Sequence, residues 1–322
     1  MTWTEAPLAV EVTRGDSVES QHLVDAVVVN ADGSLVEAWG DPARRVLPRS
    51  ALKPIQAIPM VASGAADAFA LTEIELALAC ASHSGEPAHV NGVTRWLDRL
   101  CVPIETLACG IHPPISSLAA NGLAESGQSP SAVHNNCSGK HAGFLTLCRH
   151  LGISTDRYIS PTHELQRLYV TPAIEGLCGV DLASQIPAVD GCGIPTWEIP
   201  LQRLAAGWAV LGLGQTGSPE KRLLDAMRSE PFFVAGTNRV CTRMIEGTTG
   251  GTVVKTGAEG VFCAVLPDDE VGVAVKVHDG AGRAAAVAVG WLLTRLGHLT
   301  AEEQEVLTNH EGRAVGTIRV VG

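Results

Sequence analysis

Both ends of the chain have the pattern of β-strands, and residues 8–13 show the alternation of apolar and polar positions that is typical of a strand with one buried face. The sequence NADGS at residues 30–34 lies between two β-rich runs and has the composition of a hairpin turn. β-branched side chains dominate the runs after residue 250. The predicted strands are 8–13, two runs within 22–39, 252–255, 261–266, 271–277 and an edge strand at 317–321.

The middle of the chain changes to a helical spacing of apolar residues, many of them alanine and leucine. Ser138 and Ser218 stand where a helix N-cap is expected. The predicted helices are 51–64, 72–81, 87–100, 139–151, 164–177, 200–213 and 219–228, with another at 281–296.

Strands at the two ends of the chain must find hydrogen-bonding partners, and one shared sheet satisfies both sets. We therefore predict an α+β fold in which a mostly antiparallel sheet packs with a helical lobe. The expected organisation is a single domain over 1–322, with a sheet lobe at approximately 1–48 and 250–322 and a helical lobe at approximately 49–249.

Charge and composition exclude several classes of partner. The formal net charge of -11 argues against nucleic acid and against an anionic membrane surface. No apolar run is long enough to span a bilayer, and the N-terminus lacks the pattern of a secretory signal. We expect a cytoplasmic protein whose nine cysteines are mostly reduced thiols and whose partner is a small molecule.

The stretch RSALKP at residues 49–54 places a serine three positions before a lysine. At the start of a helix, Ser50 and Lys53 would share one face, and a desolvated lysine can activate a serine. The alternative is that Ser50 caps the helix and Lys53 is solvated. Arg49 fits either a carboxylate-binding role or an ordinary surface charge.

A second candidate pair combines Ser82, in the sequence CASHSGE, with Lys255, in KTG on a predicted strand. An S-x-x-K helix start followed by K-T-G on a strand is the layout of the penicillin-recognising serine enzymes. The usual S-D-N is absent, and Ser82 could instead cap the following helix.

The stretches HNNCSGKH and DGCGIP contain thiols and amines next to glycine-rich turns. Cys137 and Lys140 are three positions apart and could face one point. Thiolate and nitrogen ligands suit zinc, but no C-x-x-C or H-x-x-x-H pattern is present. Buried structural thiols are the alternative.

Four stretches together, HNNCSGKHAGFL, DGCGIP, RSALKP and KTGAEGV, resemble the rhizobial-type L-asparaginases, or asparaginase II-like proteins. The resemblance covers nearly the whole chain. It implies a fold like that of serine β-lactamases and penicillin-binding proteins, hydrolysis of L-asparagine to L-aspartate and ammonia, and a homodimer.

The resemblance also implies roles for individual residues. Ser50 would be the nucleophile and Lys53 its base, and Ser82 with Lys255 would form a second serine–lysine pair, with Lys276 as the alternative lysine. Cys137, Lys140 and Cys192 would bind zinc. Asp190 would be the nearby carboxylate that orients the lysine, and it counts with Arg49 and His83 among the expected substrate-binding residues.

Two other functions compete with this expectation. A glutaminase or another amidohydrolase of the same fold would use the same groups, since one methylene changes discrimination by only about 1–3 kcal/mol. A non-catalytic amino-acid sensor would use the binding site alone, although a sensor needs no nucleophile.

Overall fold

The computed structural model describes residues 2–300 and 305–321, which form two compact units. The first, here called the sheet unit, comprises Met1–Ala51, Glu198–Leu213 and Gly247–Gly322. The second, the helical unit, comprises Leu52–Trp197 and Gly214–Glu246. The predicted lobes differ from these units mainly in residues 198–213, which belong to the sheet unit.

The strands confirm the prediction of a mostly antiparallel sheet. The principal sheet has the order β12-β13-β2-β3-β11-β10-β9, with β4 also paired to β3, and its one parallel pair among the described residues is β1 with β4. The strands are β1 Thr2–Thr4, β2 Leu8–Arg14, β3 Ser17–Asn30, β4 Leu35–Trp39, β5 Arg45–Val46, β6 Ala188–Val189, β7 Pro195–Thr196, β8 Ile199–Pro200, β9 Val253–Thr256, β10 Val261–Leu266, β11 Val271–Val277, β12 Glu305–Thr308 and β13 Ala314–Val321.

The predicted helices are also present, with ends shifted by a few residues. They are α1 Lys53–Ala62, α2 Ala65–Ala68, α3 Glu73–Ala79, α4 Pro87–Leu100, α5 Ser117–Glu125, α6 Ser138–Leu151, α7 Thr171–Cys178, α8 Leu201–Gly212, α9 Pro219–Ser229, α10 Pro231–Val234, α11 Val240–Gly247 and α12 Gly282–Arg295. A π-helical turn, Gln166–Val170, leads into α7. Within the described residues, no helix is both long and apolar enough to cross a membrane.

The core of the sheet unit lies around β3 and β11. Residues 24–29 of β3 are all buried because α8 and α12 pack against the sheet. Gly272 permits this packing, since an added Cβ would lie 2.0 Å from the carbonyl oxygen of Ala205 on α8. The prediction of an edge strand at 317–321 is wrong, because β13 pairs with both β2 and β12.

The helical unit is built around α1 and α6, which contact each other. Residues 53–61 of α1 and 138–148 of α6 are buried on every side of the helix. The polar side chains at the starts of these two helices are therefore held inside the protein, where each needs a hydrogen-bonding partner.

Candidate functional site

Lys53, the first residue of α1, is only 1% exposed. Its Nζ donates to Ser82 Oγ at 2.9 Å and to the carbonyl oxygen of Ala81, and its charge acts on the thiol of Cys137. These two acceptors bind N–H groups of the buried amine, which reduces its desolvation cost. Lys53 is thus bonded to the loop after α3 and acts electrostatically on Cys137 at the start of α6.

The loop that carries Ser82 is fixed by backbone hydrogen bonds. The Ser82 N–H donates to the carbonyl of Val234 at 2.9 Å, and the His83 N–H donates to the carbonyl of Asn136 at 3.2 Å. Ser82, His83 and Ser84 are all buried. The loop therefore holds the Ser82 hydroxyl at Lys53 in a defined position.

The start of α6 places Cys137 and Lys140 beside this loop. Cys137 is the N-cap residue, and its N–H donates to Asn135 Oδ1 at 2.8 Å. Gly139 lets α6 approach α3 closely, because an added Cβ would lie 2.3 Å from the carbonyl oxygen of Leu78. A larger residue at this position would displace both functional side chains.

Cys192 lies on a tight turn after β6, and its thiol lies beside the amine of Lys140. The Cys192 N–H donates to Asp190 Oδ1 at 3.3 Å, and Gly193 closes the turn with a φ of 86°, which favours glycine. Lys140 Nζ donates to Cys192 Sγ at 2.9 Å. Asp190 also acts on Lys140 through its charge.

The two thiols are not equivalent. A hydrogen bond from Cys192, with the charges of Lys53 and Lys140, holds the pKa of the Cys137 thiol well below its usual range despite burial. The same hydrogen bond and burial raise the pKa of the Cys192 thiol. Burial opposes the charge of Lys140, but the two facing sulfurs raise the pKa of its amine. Of the two thiols, Cys137 is therefore the more acidic.

The donor set of this cluster fits a zinc ion. Two thiols and one amine converge, and zinc accepts sulfur and nitrogen ligands in tetrahedral sites with an open fourth position. Across residues 2–300 and 305–321, no group of three or more histidine, cysteine or carboxylate side chains could hold a metal. Lys140 would have to be the third ligand and would have to lose a proton first.

The remaining predicted residues lie in the sheet unit. Ser50 and Arg49 are half-buried in a 3-10 turn, Arg49–Leu52, and Arg49 adopts a φ of 52°, a strained conformation for a residue with a side chain. Lys255 is fully buried on β9, where its Nζ donates to the carbonyl of Thr256 at 3.0 Å. Lys276 donates to the carbonyl of Val277 at 2.7 Å.

The structure contradicts the two alternatives in which a serine caps a helix. The N-cap of α1 is Leu52, and the N-cap of α4 is Glu86. Neither Ser50 nor Ser82 occupies a cap position. The alternative of a solvated Lys53 is also wrong, because this side chain is buried.

Sequence reasoning missed residues that organise the cluster. Asn135 Nδ2 donates to the carbonyl of Cys109 at 2.8 Å, and Ser138 Oγ lies 2.8 Å from His83 Nε2. His141, fully buried on α6, is hydrogen-bonded to Tyr158 at 2.7 Å. The density of polar residues in HNNCSGKH could have revealed the first two, whereas nothing in the sequence links Tyr158 to this helix.

A comparison with known protein families identifies the class of protein to which the chain belongs. The L-asparaginase II family matches residues 10–322, so the chain belongs to this family. It is therefore a hydrolase that acts on amides, an asparaginase-type amidohydrolase.

Two further comparisons add no information on function. A β-lactamase crystal structure from Mycobacterium bovis is similar to the chain at 15% sequence identity, covering 84% of this chain and 94% of that one, with a TM-score of 0.39. A comparison with curated proteins found no match.

Proposed function

We propose that the protein hydrolyses the side-chain amide of L-asparagine to L-aspartate and ammonia through a serine nucleophile activated by Lys53. The observation that carries the proposal is the buried amine of Lys53, which lies 2.9 Å from the Ser82 hydroxyl. Membership of the L-asparaginase II family supports an amide substrate.

Ser50 is the proposed nucleophile and Lys53 the proposed base. Ser50 Oγ attacks the side-chain carbonyl carbon of asparagine, and the neutral amine of Lys53 takes the hydroxyl proton. The carbon–nitrogen bond then breaks, and the departing amide nitrogen receives a proton to leave as ammonia. Water cleaves the resulting ester, which releases aspartate and restores the Ser50 hydroxyl.

Ser82 and Lys255 are proposed to serve the proton transfers. The hydrogen bond between Ser82 and Lys53 supports a path from the base through a hydroxyl. The same bond favours a second candidate for the nucleophile, Ser82 itself. Arg49 and Asp190 are proposed to contribute to binding of the amino-acid head group, Asp190 through Lys140.

Cys137, Lys140 and Cys192 are the proposed ligands of a zinc ion. When bound, it would supply Lewis-acid polarisation or a binding point for the substrate. The residues themselves hold the donor atoms together through the Lys140–Cys192 hydrogen bond of 2.9 Å.

The first experiment measures ammonia release from L-asparagine and from L-glutamine by the purified protein, with Ser50→Ala and Ser63→Ala alongside. Ser63 ends α1 away from the cluster and serves as the matched control. We expect release from asparagine that is lost in Ser50→Ala and kept in Ser63→Ala. Release from glutamine alone would support the glutaminase, and binding without release from either would support the sensor.

A homodimer and a cytoplasmic location are further proposals. The nine cysteines form no disulfide in the structure, which is compatible with a reducing compartment. Light scattering of the purified protein at micromolar concentration should give twice the mass of one chain. A mass of 33.6 kDa would reject the dimer.

A further inference from the structure

The hydrogen bonds of His83 fix its tautomer. The Gly85 N–H donates to His83 Nδ1 at 3.1 Å, so Nδ1 is an acceptor and Nε2 carries the hydrogen. His83 Nε2 therefore donates to Ser138 Oγ at 2.8 Å, and Ser138 Oγ donates to the carbonyl of Val133 at 3.0 Å. Each donor in this series has one acceptor, and the order of donation cannot be reversed.

This series connects the two segments that meet at Lys53. His83 directly follows Ser82, and Ser138 directly follows Cys137. A second bond, from the His83 N–H to the carbonyl of Asn136, ties the same segments at 3.2 Å. The positions of the Ser82 hydroxyl and the Cys137 thiol relative to Lys53 thus depend on a shared support.

Among the described residues, the ring nitrogens of His83 bond to Ser138 and Gly85, and the ring lies in an aromatic stack. The ring is fully buried and stacks on His89, with centroids 5.1 Å apart, and His89 stacks in turn on Phe232 at 4.5 Å. Burial keeps the pKa of His83 well below its usual range, so the imidazole stays neutral. Both ring nitrogens are used within the protein, which leaves none for a substrate.

We propose that His83 is a positioning residue, not a substrate-binding one: its Nε2–H···Ser138 bond holds the Ser82 loop and the Cys137 helix start in register around Lys53. This proposal rests on the proposed amide hydrolysis. His83 acts through Ser82 and Lys53 and touches no reacting atom.

Two substitutions of His83 distinguish positioning through the bond to Ser138 from a contribution of side-chain packing alone. In His83→Gln the amide nitrogen occupies the place of Nε2 and can still donate to Ser138. In His83→Asn the shorter side chain cannot reach it. Ser138→Ala removes the acceptor, and the double variant His83→Asn/Ser138→Ala tests whether both changes break one interaction.

We expect His83→Asn and Ser138→Ala each to lower kcat by about 10- to 100-fold with KM nearly unchanged, as for other residues that orient a functional group. The double variant should be no worse than either single one, and His83→Gln should restore most of kcat. A rise in KM with kcat kept, or losses that multiply in the double variant, would overturn the proposal.

NMR spectroscopy tests the positioning role of His83 without a measurement of turnover. The 15N NMR signals of His83 should show the Nε2–H tautomer, and the side-chain signals of Lys53 should shift in His83→Asn and Ser138→Ala but not in His83→Gln. Unshifted Lys53 signals, or an Nδ1–H tautomer, would overturn the positioning role. Absence of ammonia release with shifted signals would reject the substrate proposal alone.

Discussion

A buried carboxylate of the sheet unit and a buried amine of the helical unit have different hydrogen-bonding partners. In the sheet unit, the buried carboxylate of Asp25 accepts from Arg44 Nε and lies 3.1 Å from His278 Nε2. In the helical unit, Lys53 donates to a carbonyl and a hydroxyl and acts on the nearby thiol of Cys137 through its charge.

The difference separates a stabilising arrangement from a reactive one. A carboxylate paired with a guanidinium has no reason to exchange protons, because the arginine does not titrate in the physiological range. An amine beside hydroxyl and thiol groups can exchange protons with both. Substitutions in the first cluster should therefore affect stability, and substitutions in the second should affect turnover.

The largest effect is expected for Lys53→Met, which keeps the length of the side chain and removes its donors. We expect kcat/KM for amide hydrolysis to fall by about 10³-fold, because the base is lost. Loss of the donor to buried acceptors should also lower the free energy of unfolding by roughly 1–3 kcal/mol. Steady-state ammonia release and urea unfolding measure the two quantities.

Lys221→Met is the matched control. Lys221 lies on the surface of α9 and pairs with Asp225 one turn away. An exposed pair of this kind contributes at most about 1 kcal/mol, so both turnover and stability should stay near those of the parent. Equal losses in the two lysine variants would contradict a special role for Lys53.

Asp25→Ala should have its effect on stability. The change leaves Arg44 and the Asp41 N–H, 3.2 Å from Asp25, without their acceptor. We expect the free energy of unfolding to fall by about 3 kcal/mol, and Asp25→Asn, which keeps one acceptor oxygen, to lose less. Turnover at urea concentrations below the unfolding transition should be unchanged. A loss of kcat in the folded variant would contradict a purely stabilising role for Asp25.

The smallest effect is a pH dependence that comes from His83 and His89. Burial lowers the pKa of both imidazoles, so below about pH 6.5 the unfolded chain binds protons that the folded protein does not. Stability is therefore fully present above this pH and falls as the pH decreases, by up to about 1.4 kcal/mol per unit for each histidine. The charged or titratable groups that act on the two rings are Lys53, Glu86, His112, His134 and Arg239.

Urea unfolding at pH 7 and pH 5.5 measures this slope. His83→Gln should reduce it, because one of the two titrating groups is removed. A slope that is the same in this variant would show that His83 takes up protons equally in the folded and unfolded states.

The sequence predicts the elements with strong periodicity well. The bounds of α4, β10 and β11 are those predicted, because each has a clear apolar pattern and a turn or cap at its ends. α5 was missed because none of its residues is buried, so it has no apolar stripe. The pairing of β13 with β12 could not be predicted, since β12 has four residues and none of them is buried.

The sequence also predicts which residues carry chemistry better than it predicts their partners. RSALKP and HNNCSGKH each contain residues of the cluster, because polar groups at a buried helix start need hydrogen-bonding partners inside the protein. The bond from Lys53 to Ser82 spans 29 positions, and that from Lys140 to Cys192 spans 52. Contacts at such separations depend on how α1, α3 and α6 pack, which periodicity does not encode.

The most direct test of the account is to trap the acyl-type intermediate and identify the modified residue. The protein is treated with an electrophilic analogue of L-asparagine, digested and examined by mass spectrometry, with Lys53→Met alongside. The account predicts modification of Ser50 in the parent and almost none in Lys53→Met. Modification of Ser82 instead, or equal modification of Ser50 in both proteins, would contradict it.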